Sequence, residues 1–269
     1  MTKHKLRSIF KNGYLAMVLA FLYLPILVMI YLSFSNSKSR SVWGGFTLQW
    51  YTHLFQNDII MDALRNTLVI AVLSAVVATV IGTMAAMGIF GMKRGVRTVI
   101  TNITYLPVIN PDIVTGISLM ILFIFFRMNL GFWTMLMAHI AFNIPYVIFS
   151  VMPKLTQLDH HVYEAALDLG ATPGQALWKI ILPEIMPGVI TGFILAFTLS
   201  IDDFVISFFT SNDVQNLSIY IYSQARRGIN PSIYALSTLM FLTVLALLII
   251  VNRRSALIAG KAQKVKQEI

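Results

Sequence analysis

Three carboxylates stand in stretches that are otherwise free of charge. Asp112 is the single formal charge among the 29 residues between Arg97 and Arg127, and Asp202 and Asp203 are the only ones between Glu184 and Asp213. A carboxylate in apolar surroundings is costly unless it faces water or a partner, so each is a candidate functional group. Spaced carboxylates would suit a polycation, each replacing the hydration of one ammonium group. Pro107 and Pro111, just before Asp112, remove backbone donors. They predict a kinked or unwound turn whose freed carbonyls are tolerated only beside a cavity. Adjacent residues are about 100° apart on a helix, so Asp202 and Asp203 cannot both point along one axis, which leaves room for one to be structural.

The elements that carry these acids are membrane helices. Of 269 residues, 57% are hydrophobic and 12% charged, with a mean hydropathy of +0.76. That is about half the charge density of a soluble domain and excludes an ordinary water-soluble protein. The net charge of +9 lies in short clusters between long apolar runs, the pattern of membrane topology, so no nucleic-acid partner is expected. There is no cysteine, which excludes disulfides, thiolate metal sites and cysteine nucleophiles. Uncharged stretches of spanning length predict six helices, near Gly13–Phe34, Asn66–Phe90, Val99–Phe126, Phe132–Val151, Pro187–Phe209 and Ile233–Val251. The first is expected to remain as an uncleaved helix, because a secretory signal has a shorter apolar core. The expected fold is all-α and polytopic, with an N-terminal segment at 1–12, a six-helix domain at 13–252 and a basic tail at 253–269. Parity puts 14 of the 20 Lys and Arg on the side of the termini, which orients both termini into the cytoplasm.

The segment between helices four and five, about 153–186, is then cytoplasmic and reads as two short helices with a break. Asp159 is a candidate N-cap, and Val162, Ala165, Ala166 and Leu169 recur at helical spacing to give a small apolar face. Gly170 supplies the position after the helix end. Thr172-Pro173-Gly174-Gln175 has the form of a capping box with proline at the first helical position, and the second helix is expected to run to Pro183. An ordered connector accounts for the caps and the proline. It does not account for small residues on one face of a cytoplasmic helix.

Glu164-Ala165-Ala166, then Gly170, then Ile180-Ile181-Leu182-Pro183 resembles the EAA loop of the integral membrane subunits of bacterial ABC importers. The stretches Trp50-Tyr51, Pro111 to Leu119, Gly131-Phe132-Trp133, Glu164 to Pro173, Phe197 to Ser207 and Gly228 to Pro231 extend the resemblance over nearly the whole chain, toward permeases of spermidine/putrescine importers. The resemblance implies a type I importer permease fold in the bacterial cytoplasmic (inner) membrane, moving polyamine by alternating access. It implies an ATPase-coupling surface of Glu164, Ala165, Ala166, Gly170, Leu182 and Pro183, and a substrate path that includes Asp112, Asp202, Asp203, Ser200 and Trp50. The implied partners are a homologous second permease, two copies of a cytoplasmic ATPase, an extracytoplasmic polyamine-binding protein and the lipid bilayer. Gly260-Lys261 lacks the earlier glycine and the hydroxyl of a phosphate-binding loop. No catalytic residue and no cofactor are therefore expected on this chain, with ATP and magnesium on the partner ATPase.

Other readings cover fewer residues. An importer permease for another small solute would share the loop and the helices, whereas a self-contained secondary carrier leaves the loop unexplained. Two intramembrane aspartates also suggest an aspartyl protease dyad, but Asn110-Pro111-Asp112 and Ser200-Ile201-Asp202 lack the Tyr-Asp and Gly-x-Gly-Asp contexts of that chemistry. His139 is expected to be a hydrogen-bonded packing residue. The adjacent His160-His161 lack the i, i+4 spacing of a helical metal pair, so no metal site is expected. Trp50, with Trp43, also fits an outer aromatic belt. Tyr220 and Tyr222 are placed to meet the substrate-delivering protein.

Overall fold

The computed structural model describes residues 3–37, 42–227, 230–243 and 245. In chain order the helices are α1 (Lys3–Ser33), α2 (Gln49–Phe55), α3 (Asp58–Phe90), α4 (Arg94–Ile109), α5 (Asp112–Phe125) and α6 (Phe132–Gln157). There follow α7 (His160–Asp168), α8 (Pro173–Ala176), a π-helical turn at Leu177–Ile181, α9 (Leu182–Asp202), α10 (Val205–Thr210), α11 (Leu217–Arg227) and α12 (Pro231–Thr243). Among the described residues there is no strand, only one antiparallel bridge between Ser35 and Phe46. This is the expected all-α membrane protein, since a helix satisfies its own backbone where water is absent.

Four helices are long and apolar enough to cross a bilayer: Asn12–Ser33 within α1, α3, α6 and the continuous run Pro173–Asp202. α4 and α5 qualify together as a fifth, and α12 is a shorter apolar helix. Apart from Leu245, the rest of the predicted sixth span lies outside the described residues, as does the tail at 253–269.

Three expectations need correction. Helix three is not straight: α4 and α5 are bent by 102° at Asn110-Pro111, where the prolines predicted a kink. The residue before a proline is pushed out of the helical region, and Asn110 accordingly has ψ 141°. Asp112 therefore opens α5 and does not lie halfway along a helix. Helix five stops at Asp202 and does not continue to Phe209, because Asp203 turns to ψ 121° and the chain restarts as α10. The loop's second helix does not end at Pro183. It passes through the π-helical turn into α9, so the run is one helical rod of 30 residues. A π turn is wider than an α turn, which lets the helix carry a proline ring that would otherwise meet the carbonyl four residues earlier.

The described residues divide into two compact units, those up to 58 with those from 224 onward, and 59–223. In the smaller unit the segment after α1 is organised by aromatic pairs, Tyr31 on Trp43 (4.4 Å between centroids) and Phe34 on Phe46 (5.6 Å). The larger unit is built on seams of small residues spaced by four. α3 buries Ser74, Ala78, Gly82 and Ala86, and α9 buries Gly188, Gly192, Ala196 and Ser200. α6 answers with His139, Asn143, Val147, Val151 and Leu155, all buried. Hydrocarbon offers no hydrophobic drive between helices, so such seams associate by close backbone approach and interhelical hydrogen bonds. A Cβ on Gly82 would lie 2.8 Å from Val147 Cβ, and one on Gly192 would lie 3.2 Å from Val147 Cγ1. Ser150 Oγ adds a bond to Gly188 O at 3.0 Å.

Gly82→Ala is expected to cost about 1–3 kcal/mol by overpacking. The thermal midpoint of the purified protein should fall, and Val147→Ala in the same chain should recover part of the loss. An unchanged midpoint for the single variant would remove the close approach from the account.

Candidate functional site

The break between α9 and α10 is fastened by Asp203. Its carboxylate accepts from Ile206 N (3.2 Å), Ser207 N (2.8 Å) and Ser207 Oγ (2.9 Å), capping the amides that open α10. With the Ser207 hydrogen given to Asp203, Ser207 Oγ accepts from Asn216 Nδ2 at 2.8 Å and from His139 Nε2 at 2.9 Å. That assignment puts the imidazole proton on Nε2, which also lies 3.4 Å from Asp203 Oδ2. Asn216 closes the knot by donating to Asp203 O (3.2 Å) and accepting from Ile219 N (2.9 Å) at the start of α11. The side chains of His139 and Asp203 are 1% and 8% exposed. Asp203 is thus the structural member of the pair, and His139 is the packing residue expected of it. Asp202, the last residue of α9, is exposed.

Asp112 is exposed at the first turn of α5. One turn further on, Gly116 is crossed by α10: a Cβ there would lie 3.4 Å from Ile206 Cα and from Val205 O. Asp112, one turn before Gly116 on α5, and Asp202, three residues before α10 begins, thus precede the crossing along the chain on either helix.

Ser200 is enclosed in the bundle, its Oγ 2.9 Å from Ser74 Oγ and accepting from Asn143 Nδ2 at 2.8 Å. Asn143 Oδ1 is buried without a hydrogen-bond partner. Trp50 belongs to the smaller unit, where its indole donates to Ser35 O at 2.7 Å and its ring is 8% exposed. Sequence reasoning missed Asn143, Ser207, Asn216 and Gly116. The available signal was His139 and Asn143 four residues apart on one face of an uncharged helix.

The loop is as rigid as its capping residues require. Gly170 has φ +86°, and the chain closes α7 through Ala171 N to Ala166 O (3.0 Å) and Gly170 N to Leu167 O (2.9 Å). Two residues later the capping box forms, with Gln175 N donating to Thr172 Oγ1 (3.3 Å) and Thr172 N to Gln175 Oε1 (3.0 Å). The predicted small apolar face divides in two. Ala166 is buried toward the body, whereas Val162, Ala165 and Leu169 face outward, Leu169 being 90% exposed. Two helices cannot share the same side of α7, and the body already occupies the Ala166 side. Glu164 borders a cavity of about 430 Å³ with Phe90, Leu155, Tyr163 and Ile181. Leu182 is half-buried, and Pro183 is exposed. Among the described residues, no group of His, Asp and Glu could hold a metal ion.

Comparison with known proteins places these features in a family. The family described as binding-protein-dependent transport system inner membrane component matches residues 78–261. The chain is 38% identical over 240 residues to the spermidine/putrescine transport system permease protein PotC of Escherichia coli K12, covering 89% of this chain and 91% of that one. It is 39% identical over 244 residues to the putrescine transport system permease protein PotI of the same strain, covering 87% and 86%. A solved bacterial ABC transporter involved in import of the acidic polysaccharide alginate has the same fold, with a TM-score of 0.73 at 15% identity over 94% of this chain and 98% of that one. An alginate transporter solved with a pentasaccharide-bound periplasmic protein gives 0.67 at 20% identity over 91% of each chain.

Asp203→Ala should lower stability by at least the roughly 0.5–2 kcal/mol of a lost cap, whereas Asp202→Asn should leave the stability within about 0.5 kcal/mol of wild type. Equal effects would contradict the division of labour between the two acids. Gly170→Ala should cost about 1 kcal/mol, because an L side chain is strained at that φ, with the loss read as increased proteolysis at the α7–α8 junction.

Proposed function

The chain belongs to the family of binding-protein-dependent transport system inner membrane components, and on that premise we propose that it is the subunit through which a polyamine crosses the membrane. It is a multi-pass permease that performs no covalent chemistry itself and works with other permease, ATPase and binding-protein components. The observation that supports a cationic substrate is the pair of exposed carboxylates, Asp112 at the start of α5 and Asp202 three residues before α10, the two helices that cross at Gly116. Two separated anions replace the hydration of two ammonium groups while the methylene chain between them needs no partner. Relatives named for spermidine and putrescine, alike over most of their length, support the same substrate class.

In this reading α4 with α5 forms one bent crossing and α12 begins the sixth, so both termini and the α7–α8 loop are cytoplasmic in a bacterial inner membrane. The N-terminal segment at 1–12 and the basic tail at 253–269 flank the six-helix domain at 13–252. A homologous second permease completes the path, two ATPase copies hold ATP and magnesium, and an extracytoplasmic binding protein delivers polyamine. Glu164, Ala165 and Gly170 meet the ATPase, with the outward Leu169 between them and the partner groove. Ala166 and Leu182 hold the loop to the body, and Pro183 stands at its junction with α9. The rod Pro173–Asp202 then carries motion over about 45 Å, at 1.5 Å per residue, from the loop to Asp202. Asp203 fixes the end of the rod, Ser200 ties it to α3 and α6, and Trp50 shapes the segment after α1.

The test is uptake of radiolabelled spermidine and putrescine into proteoliposomes holding the assembled complex, with and without internal ATP. Asp112→Asn and Asp202→Asn should each lower ATP-dependent uptake about tenfold, the equivalent of one lost ion contact, with the complex still assembled. Glu164→Lys should abolish coupled ATP hydrolysis while the protein still inserts. ATP-driven transport indifferent to polyamines would keep the permease and discard the substrate.

A further inference from the structure

Three buried side-chain atoms among the described residues have no hydrogen-bond partner: Thr79 Oγ1, Thr83 Oγ1 and Asn143 Oδ1. They belong to one layer of the bundle. α3 and α6 run the same way, Ile70 clustering with Met135 and Leu136 near their beginnings and Gly82 meeting Val147 further on. Thr79 is three residues before Gly82, Thr83 is one after it, and Asn143 is four before Val147. At about 1.5 Å per residue, the three therefore lie within about 8 Å of one another along the bundle.

Each of these groups is turned away from its own helix. Thr67, Thr98, Thr104, Thr191, Thr198 and Thr210 donate to the carbonyl four residues back, the local bond open to a helical threonine. Thr79 and Thr83 do not make it. Asn143 is met at one end alone: Nδ2 donates to Ser200 Oγ at 2.8 Å, and that oxygen is 2.9 Å from Ser74 Oγ. Turning the amide over would exchange its ends and leave the nitrogen bare in place of the oxygen.

The group that meets them must be small, neutral and able both to donate and to accept. It is small because the layer is closed, with Asn143 fully buried and Thr83 and Thr79 nearly so. It is neutral because α6 carries no carboxylate and α3 none beyond Asp62, so a cation among these oxygens would find no counter-charge on the helices that hold it. Ala78 and Ala196, one turn from Ser74 and Ser200, set methyl groups and not larger side chains on the walls beside the amide. Water has all of these properties. A buried water makes about three hydrogen bonds, and the amide and four hydroxyls of the layer supply them.

We propose that this layer is an internal water site, with an ordered molecule on the unmet end of the Asn143 amide and others on the Thr79 and Thr83 hydroxyls. The site adds to the joint at Ser200, by which the rod is tied to α3 and α6. A water-mediated bond is nearly as good as a direct one. A joint bonded partly through water exchanges partners without stripping a buried group, so α9 shifts against its neighbours while the amide stays satisfied.

The experiment uses the assembled complex in lipid nanodiscs, imaged at a resolution that shows ordered water elsewhere in the protein. Density is expected within hydrogen-bond distance of the Asn143 amide and of the two hydroxyls. Thr79→Val with Thr83→Val keeps the shape and removes the hydroxyls. Water left without those partners should lower the melting midpoint by at least about 2 °C, and its density there should go. Thr191→Val with Thr198→Val, whose hydroxyls serve only their own helix, should move the midpoint less. Dry, unpartnered hydroxyls predict the opposite, because an apolar group of the same shape is then neutral or stabilising. An unchanged or raised midpoint for the Thr79 and Thr83 pair, or no density at the amide in the wild type, would overturn the site. Should that pair fail to assemble, the wild-type density decides alone. Exchange of sodium for potassium or choline should leave the midpoint in place, and dependence on one cation would overturn water in favour of an ion. None of these readouts uses a transported solute, so failure of the polyamine reading leaves them standing.

Discussion

Val147 sits between two glycines, and the larger unit depends on that arrangement. Gly82 on α3 and Gly192 on α9 approach it so closely that a methyl group on either would have to displace it. In a membrane this closeness is itself the attraction, because dispersion and hydrogen bonding must replace the hydrophobic effect. The repeat of four residues along each seam then propagates the alignment. One and two turns from Val147, the same face of α6 presents Asn143 to Ser200, itself bonded to Ser74, and His139 to Ser207. Apolar contact and polar network are two stretches of one seam, so the first sets the geometry of the second.

That geometry explains how neighbouring aspartates come to have unlike roles. Asp203 leaves the helix and turns its carboxylate to the amides of α10, where serine, histidine and asparagine surround it. Such an acid is stabilised by the bonds it accepts and is unsuited to releasing them for a passing solute. Asp202, still on the rod, remains open. The polar network around Asp203 thus serves to end a helix at a defined residue, and the exposed acid is placed as a consequence.

The sequence was most legible where one residue type dictates one local conformation. Gly170 in the left-handed region, the Thr172–Gln175 capping box and the turn at Pro111 could all be read from composition and spacing. The spans were legible in kind but not in extent. α3 begins at Asp58, well before the uncharged stretch, since Asp62 and Arg65 lie exposed along it and a helix of 33 residues is longer than the hydrocarbon is thick. The break after Asp202 was hidden, because a carboxylate that caps its own chain carries no signature against an apolar background. Hidden too was the division of the EAA face. Periodicity shows that Val162, Ala165, Ala166 and Leu169 share a side, but only tertiary packing decides that Ala166 turns inward.

The π-helical turn at Leu177–Ile181 sets an angular relation between the two ends of the rod. A π turn holds one residue more than an α turn, so everything beyond it is rotated by about 100° relative to an uninterrupted helix. The direction in which Asp202 faces is therefore indexed to the loop by that one additional residue. Deleting it would leave every other side chain and nearly the whole length of the rod, yet aim the acid at a different neighbour.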